Sequence, residues 1–258
     1  MIPFTLISIA IVAGLFFGMM LFLEVGRRIG LHRFAKFGEP ARAGVGVVDG
    51  VVYGLLSLLL GFTFSGAAAR FDHRRELVAN AGHAMEIAWD RTLVLPEADR
   101  QPIRDAFKRY VDALIASYTR RDRSDPFAEP PSVETARRDV WDRSVAVCIA
   151  PEGEKSRMLL LPALNDMFGV IYQERLARRI HPPVAIFAML GIAALASALF
   201  GGYGLAKSSV RNWMYVTGVA ATVAMTAYVI IELEYPRLGA VRVDNMDRAL
   251  IDLRATMQ

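Results

Sequence analysis

The chain has 258 residues, of which 54% are hydrophobic, and a mean hydropathy of +0.32, with the apolar excess concentrated in a few blocks. Its formal charge of +4 is spread along the sequence, without the clustered basic face of a nucleic-acid binder, so no nucleic-acid partner is expected. The single cysteine, Cys148, excludes an intrachain disulfide, and the four histidines lack ligand spacing and a cysteine cluster, so no metal site and no cofactor is expected.

Ile2–Leu23 is the first apolar block. It lacks the positive n-region of a signal peptide and is followed directly by Arg27 and Arg28, so it reads as a retained transmembrane helix. Glu24–Arg42 reads as a short polar link carrying Arg27, Arg28, Arg33, Lys36 and Arg42. The second span runs from Gly44 to Ala69, and Val51–Ala69 (VVYGLLSLLLGFTFSGAAA) has about the length needed to cross a hydrocarbon core. No proline or polar cluster separates it from RFDHRRELVANAGHAMEIAWDRTLVL, so one helix is expected to leave the bilayer without a break. Gly46, Gly50, Gly54, Ser57, Gly61 and Ser65 recur every three or four positions, which places them on one face and permits close approach to another helix.

Residues 70–180 are expected to form a soluble helical bundle. Phe71, Leu77, Val78, Ala81, Met85, Ala88 and Trp89 make an apolar stripe on its first helix. A second helix over Pro102–Thr119 carries Ile103, Phe107, Tyr110, Val111 and Leu114. The charged, proline-containing RRDRSDPFAEPP is a loop. Ser132 is placed to cap a third helix through Ile149, and a fourth, Glu154–Ile180, holds Pro162, where a bend is expected. These stripes have the period of core packing in a helical bundle.

Pro182 and Pro183 open a third span, Val184–Ala206, since proline is tolerated in a first helical turn. The GGYG near its end lacks the GK[ST] and preceding strand of a phosphate loop. Lys207 and Arg211 occupy a short turn before the fourth span, Trp213–Ile231, which Trp213 and Tyr215 flank at one interface. Residues 236–258 read as a C-terminal amphipathic helix with Val243, Met246, Leu250, Leu253 and Met257 in a narrow seam, docked on the bundle or on a neighbouring subunit. The expected fold is therefore all-α: four transmembrane helices (residues 1–69 and 181–235) with a soluble helical bundle inserted between the second and third, the second span continuing into it as a long helix.

Four spans put both termini and the bundle on one side and the two short links on the other. Both links are basic, and short basic links favour the cytoplasm. The expected location is a bacterial inner membrane, with termini and bundle extracytoplasmic. Asp49 and Tyr53 near the start of the second span, with Leu60 and Phe64 and then Phe62 or Phe71 further on, are candidates for a pore or its gate, because an intramembrane carboxylate is often functional and apolar rings gate by dewetting. The competing readings are an interfacial Asp49 that meets water or Arg42, and lipid or helix packing for the apolar side chains. Arg70, Arg74 and Arg75 leave the membrane together and Arg178 and Arg179 re-enter it; in a symmetric oligomer they would make anion-attracting rings. Interfacial anchoring and ion pairs are the competing reading of these arginines. Glu232 and Glu234 end the fourth span and either pair with them or attract cations. Neither a Gly-x-Ser-x-Gly elbow nor HExxH occurs, so no catalytic residue is assigned and no enzyme is expected.

The run LLGFTFSGAAARFDHRRELV, the later AWDRTLVLP and the ending ELEYPRLGAVRVD resemble the bacterial bestrophin-like domain family, membrane proteins of unknown function, from about Gly54 onward. Family members often carry a Glu and an Asn in the helix after the junction, where this chain has Ala81 and His83. The resemblance implies a relation to bestrophins, pentameric anion channels with four spans per subunit and a helical insertion between the second and third. It implies a homo-oligomer in the lipid bilayer, an anion as permeant ion, and a pore lined by the second span. It also implies a cytosolic insertion, opposite to the side that the basic links favour. A non-conducting sensor or scaffold whose bundle binds a partner is the alternative function.

Overall fold

The computed structural model describes residues 4–38, 45–119, 130–206, 213–236 and 244–257. Every regular element among the described residues is helical: α1 (Phe4–Phe37), α2 (Val45–Asp90), α3 (Glu97–Thr119), α4 (Pro131–Ile149), α5 (Glu154–Arg179), α6 (Val184–Leu205), α7 (Trp213–Glu234) and α8 (Asp244–Thr256). Short 3₁₀ turns cover Arg91–Val94 and Pro151–Gly153. Four helical stretches, within Phe4–Phe37, Gly46–Val94, Glu154–Leu205 and Trp213–Glu234, are long and apolar enough to cross a membrane. The chain forms two compact units, Met1–Phe71 with Pro182–Arg242, and Asp72–His181 with Val243–Gln258.

In the first unit α1 and α6 run parallel in close contact. Gly18 faces Leu195, Gly26 faces Leu199, and Gly30 faces Tyr203 and Ala206, so both helices advance together. Glycine is required here for close approach: a methyl group on Gly26 would overlap the Leu199 carbonyl, and one on Gly202 would overlap that of Leu23. Met19, Leu23, Leu56, Leu190, Ala198 and Ala220 lie in the shared core. At one end of the unit the Phe4 and Tyr235 rings meet at 4.9 Å. The expected link at Glu24–Arg42 differs from the structure, because α1 continues as helix through Phe37. Gly26 and Gly30, which look like helix weakeners in sequence, sit against α6, and that packing sustains the helix. It ends at Gly38, whose φ of +66° is the left-handed conformation glycine permits, with its N–H donating to the Phe34 carbonyl at 3.0 Å.

In the second unit the expected stripes form the core. Leu77, Val78, Ala81, Met85, Ala88 and Trp89 of α2 are buried, as are Ile103, Phe107, Tyr110, Val111 and Leu114 of α3. Trp89 meets Phe107 edge-on at 5.7 Å and Tyr110 meets Phe168 at 5.5 Å. Two boundaries differ from expectation. α3 begins at Glu97 and takes Pro102 inside it, with Glu97 and Asp99 complementing the positive end of the helix. α4 begins at Pro131 with no side-chain cap from Ser132, because a proline in the first turn has no N–H to satisfy. α8 buries Leu250 and Met257 in this core, and Arg254 donates to Asp112 at 2.7 Å from α8 to α3. Val243 lies outside the described residues, as does the Met246 side chain.

Candidate functional site

The candidate site is the outward face of α2. This helix has 46 residues and, at 1.5 Å per residue, a length of about 69 Å. Leu56 and Ala67 are buried in the first unit and define its packed stripe. Helical spacing puts Asp49, Tyr53, Leu60 and Phe64 on that stripe. The Tyr53 hydroxyl lies against Gly201 of α6. Asp49 is half-buried with Tyr53 in its electrostatic neighbourhood, and Leu60 packs against the core. Phe64 stands at the edge of the stripe, 42% exposed. Asp49, Tyr53 and Leu60 thus lie on the side of α2 that packs within the first unit, and Phe64 borders it.

The opposite side carries Val47, Val51, Leu55, Leu58 and Phe62, all exposed, Phe62 to 68%. Of these, sequence reasoning reached only Phe62, because a plain aliphatic in a span carries no chemical label. Their signal is positional, one turn apart and out of phase with Leu56 and Ala67. The small residues share this outward side: Gly46, Gly50, Gly54, Ser57, Gly61 and Ser65 are exposed. A methyl group added to any of these four glycines would meet nothing within 4 Å among the described residues. Their close-approach partner is therefore not found among the described residues. Further along, the same face turns polar. Asp72, His73, Glu76, His83, Glu86 and Asp90 are all exposed.

The arginines are largely engaged. Arg70 donates through Nε (2.7 Å) and Nη2 to one carboxylate oxygen of Glu234 on α7. Glu234 is 0% exposed and the Arg70 side chain 34%. Glu232 is also fully buried and hydrogen-bonds Tyr228. In the second unit Arg74, 7% exposed, donates to the carbonyls of Ala177 (3.1 Å) and Ile180 (2.9 Å) at the end of α5. Helix ends leave such carbonyls without intrahelical donors, so Arg74 caps α5 through its side chain. Arg178 donates to buried Glu174 at 2.5 Å and lies over the Tyr118 ring at 4.7 Å. Arg75 pairs with Asp72 at 3.7 Å, and Arg179 is exposed at the end of α5. No group of three or more His, Cys, Asp or Glu side chains among the described residues is placed to hold a metal ion.

The described residues are helical in every regular element and include four helices long and apolar enough to cross a membrane, which marks a membrane protein. Residues 39–246 match the Bestrophin-like domain, and the chain belongs to that family. No curated protein matches the sequence. Among solved structures, it is similar to a bacterial bestrophin homolog from Klebsiella pneumoniae, with 14% identity and a TM-score of 0.66 over 93% of this chain and 98% of that one. A single-residue variant of the same homolog gives 16% identity and a TM-score of 0.67 over 95% and 98%. A further crystal structure described as a membrane protein gives 13% identity and 0.66 over 94% and 99%. At these identities the likeness establishes a shared fold.

Proposed function

We propose that the chain assembles into a homo-oligomeric ion channel whose conduction path is lined by the outward face of α2. The observation that carries this reading is the composition of that face. A face turned to lipid has no need of glycine and serine every turn, whereas helices of neighbouring subunits meeting there do. Bulky Val51, Leu58 and Phe62 alternate with the small residues and supply an apolar constriction of the kind that gates by dewetting. Beyond the apolar stretch the face carries hydrated charge, as the wall of a water-filled vestibule requires.

The family resemblance supplies an anion as the permeant species. The charges on α2 favour the opposite sign. Arg70 and Arg74 are held by Glu234 and by main-chain carbonyls, while Asp72, Glu76, Glu86 and Asp90 are exposed on the polar part of the face, with exposed Arg75 offsetting Asp72. Rings of carboxylates favour cations. The basic end of α1 favours, by the positive-inside rule, a cytoplasmic side for that end in a bacterial inner membrane, with both termini on the other side. A cytoplasm-active reporter that works when fused to the C-terminus would reverse this orientation.

The test is ion flux through the purified protein in liposomes, with potassium and chloride gradients imposed separately. Flux that follows the potassium gradient supports the cation reading, and flux that follows chloride restores the anion reading. Leu58→Ala and Phe62→Ala are expected to raise flux severalfold, whereas Leu60→Ala removes a core contact and leaves flux per folded oligomer unchanged. Absence of flux from folded, inserted protein replaces the channel with a sensor or scaffold whose helical unit binds a partner.

A further inference from the structure

The far end of α1 has features that conduction by α2 does not use. α1 has 34 residues and is about 51 Å long, well beyond the ~30 Å of a hydrocarbon core. Its partner α6 ends at Leu205, and Gly30 faces Tyr203 and Ala206 while the Phe34 and Tyr203 rings meet at 5.1 Å. The last turn of α6 is therefore level with Gly30–Phe34. Tyr53 faces Gly201, near the end of α6, and has Tyr215 in its electrostatic neighbourhood, so the start of α7 lies at the same level. There Trp213 and Tyr215 are exposed, as in the aromatic belt at a membrane interface.

At this level α1 presents Arg28, His32 and Lys36 at steps of four, with Arg33 beside them, all exposed. Arg33 and Lys36 lie over the Phe37 ring at 6.0 and 5.3 Å, and no carboxylate pairs with either among the described residues. Arg28 pairs with Glu24 at 2.9 Å. Val25, Ile29 and Leu31 are exposed on the same stretch, one turn or less from the cations. Cations at headgroup depth beside uncovered aliphatic side chains match a ligand that is anionic at one end and apolar along the rest.

We propose that the Arg28, His32, Arg33 and Lys36 end of α1 is a binding site for an anionic diacyl phospholipid. Its phosphate is held by Arg33 and Lys36, and its acyl chains lie along Val25 and Ile29. The basic groups select the headgroup because attraction to anionic lipid accrues with each Lys or Arg at the surface, while a zwitterionic headgroup gains little. Glu24 keeps Arg28 directed along the helix, so Arg33 and Lys36 carry most of the selectivity. Lipid binding here depends on membrane insertion and not on conduction, so a failure of ion flux does not bear on it.

The experiment adds equimolar phosphatidylglycerol and phosphatidylcholine to the detergent-solubilised full-length protein and measures retained lipid by native mass spectrometry. The intact protein is expected to retain phosphatidylglycerol at least tenfold over phosphatidylcholine. Arg33→Gln with Lys36→Gln is expected to reduce that preference about fivefold per charge removed, with helicity and oligomer size unchanged. The exchange Arg33→Lys with Lys36→Arg conserves charge and is expected to keep the preference. Equal retention of both lipids by the intact protein overturns the proposal. So does an undiminished preference in the Gln variant, or displacement of the lipid by millimolar inorganic phosphate, which identifies a free-anion site. If the Gln variant does not fold, the charge-conserving variant and the intact-protein competition still decide.

Discussion

Arg70→Met should destabilise the protein more than Glu234→Gln, although both break the same ion pair. The asymmetry follows from burial. Glu234 is 0% exposed and Arg70 34%. Removing Arg70 leaves a fully buried carboxylate deprived of the cation that faces it, a change that costs about 3–5 kcal/mol. Removing the charge of Glu234 leaves a guanidinium a third exposed, which can reach water, and the loss is then that of charge-assisted hydrogen bonds, about 1.5–3 kcal/mol. The double variant has neither charge and should be less destabilised than Arg70→Met alone, giving a coupling of at least ~1.5 kcal/mol in a double-mutant cycle. The assay is unfolding of the purified protein in mixed detergent micelles by increasing sodium dodecyl sulfate, followed by circular dichroism. Equal single losses, a larger loss for Glu234→Gln, or strict additivity would show that the pair does not hold α2 to α7 as a buried charge couple.

Arg74→Met should cost about 2–4 kcal/mol, because two charged hydrogen bonds to otherwise uncapped carbonyls are lost together; faster amide exchange in the last turn of α5 is the local check. Glu134 is held down to about 2 from an ordinary 4.5, chiefly by hydrogen bonds from Arg137 and then Arg138. Since the folded value is depressed, the stabilisation is complete above 4.5 and is lost as pH falls towards 2; Glu134→Gln should flatten the acid limb of the unfolding curve in that window. Gly202→Val should cost more than ~2 kcal/mol by driving α1 and α6 apart. Gly61→Leu, in open space, should leave the fold intact and instead reduce oligomer size on gel filtration with light scattering.

The unbroken passage of α2 out of its apolar stretch was legible because Gly61–Arg75 contains nothing that stops a helix. The core of the second unit was legible as well, since Leu77, Met85, Phe107 and Tyr110 recur at helical spacing. Small-residue spacing was visible in two places but could not name a partner. At Gly46–Gly61 no partner is found among the described residues, and at Gly26 and Gly30 it is α6. The latter pair was hidden inside what reads as a polar link, because five basic residues mask a helix whose continuation depends on tertiary packing. The outward face of α2 was the least legible part. Asp49 and Tyr53 stand out chemically, yet only the position of Leu56 and Ala67 reveals that they face inward.

The two faces of α2 are built to different ends, and this makes their roles separable. In the first unit Arg70 binds the Glu234 carboxylate, and in the second Arg74 binds the α5 carbonyls. Tyr53 against Gly201 and Leu56 in the core lie on the inward side of α2 in the first unit. Within the first unit the apolar part of α2 cannot rotate about its own axis without breaking the Arg70–Glu234 hydrogen bonds, so its outward residues keep a constant register. Val51 and Phe62 are exposed and Leu58 is 53% exposed, so in the proposed channel they would set the width of the path without contributing to the stability of the chain. Inward substitutions should therefore change unfolding before they change flux, and outward ones the reverse. A variant such as Phe62→Ala that lowers chain stability as much as Leu60→Ala would show that the outward face is packed within the chain and has no path to line.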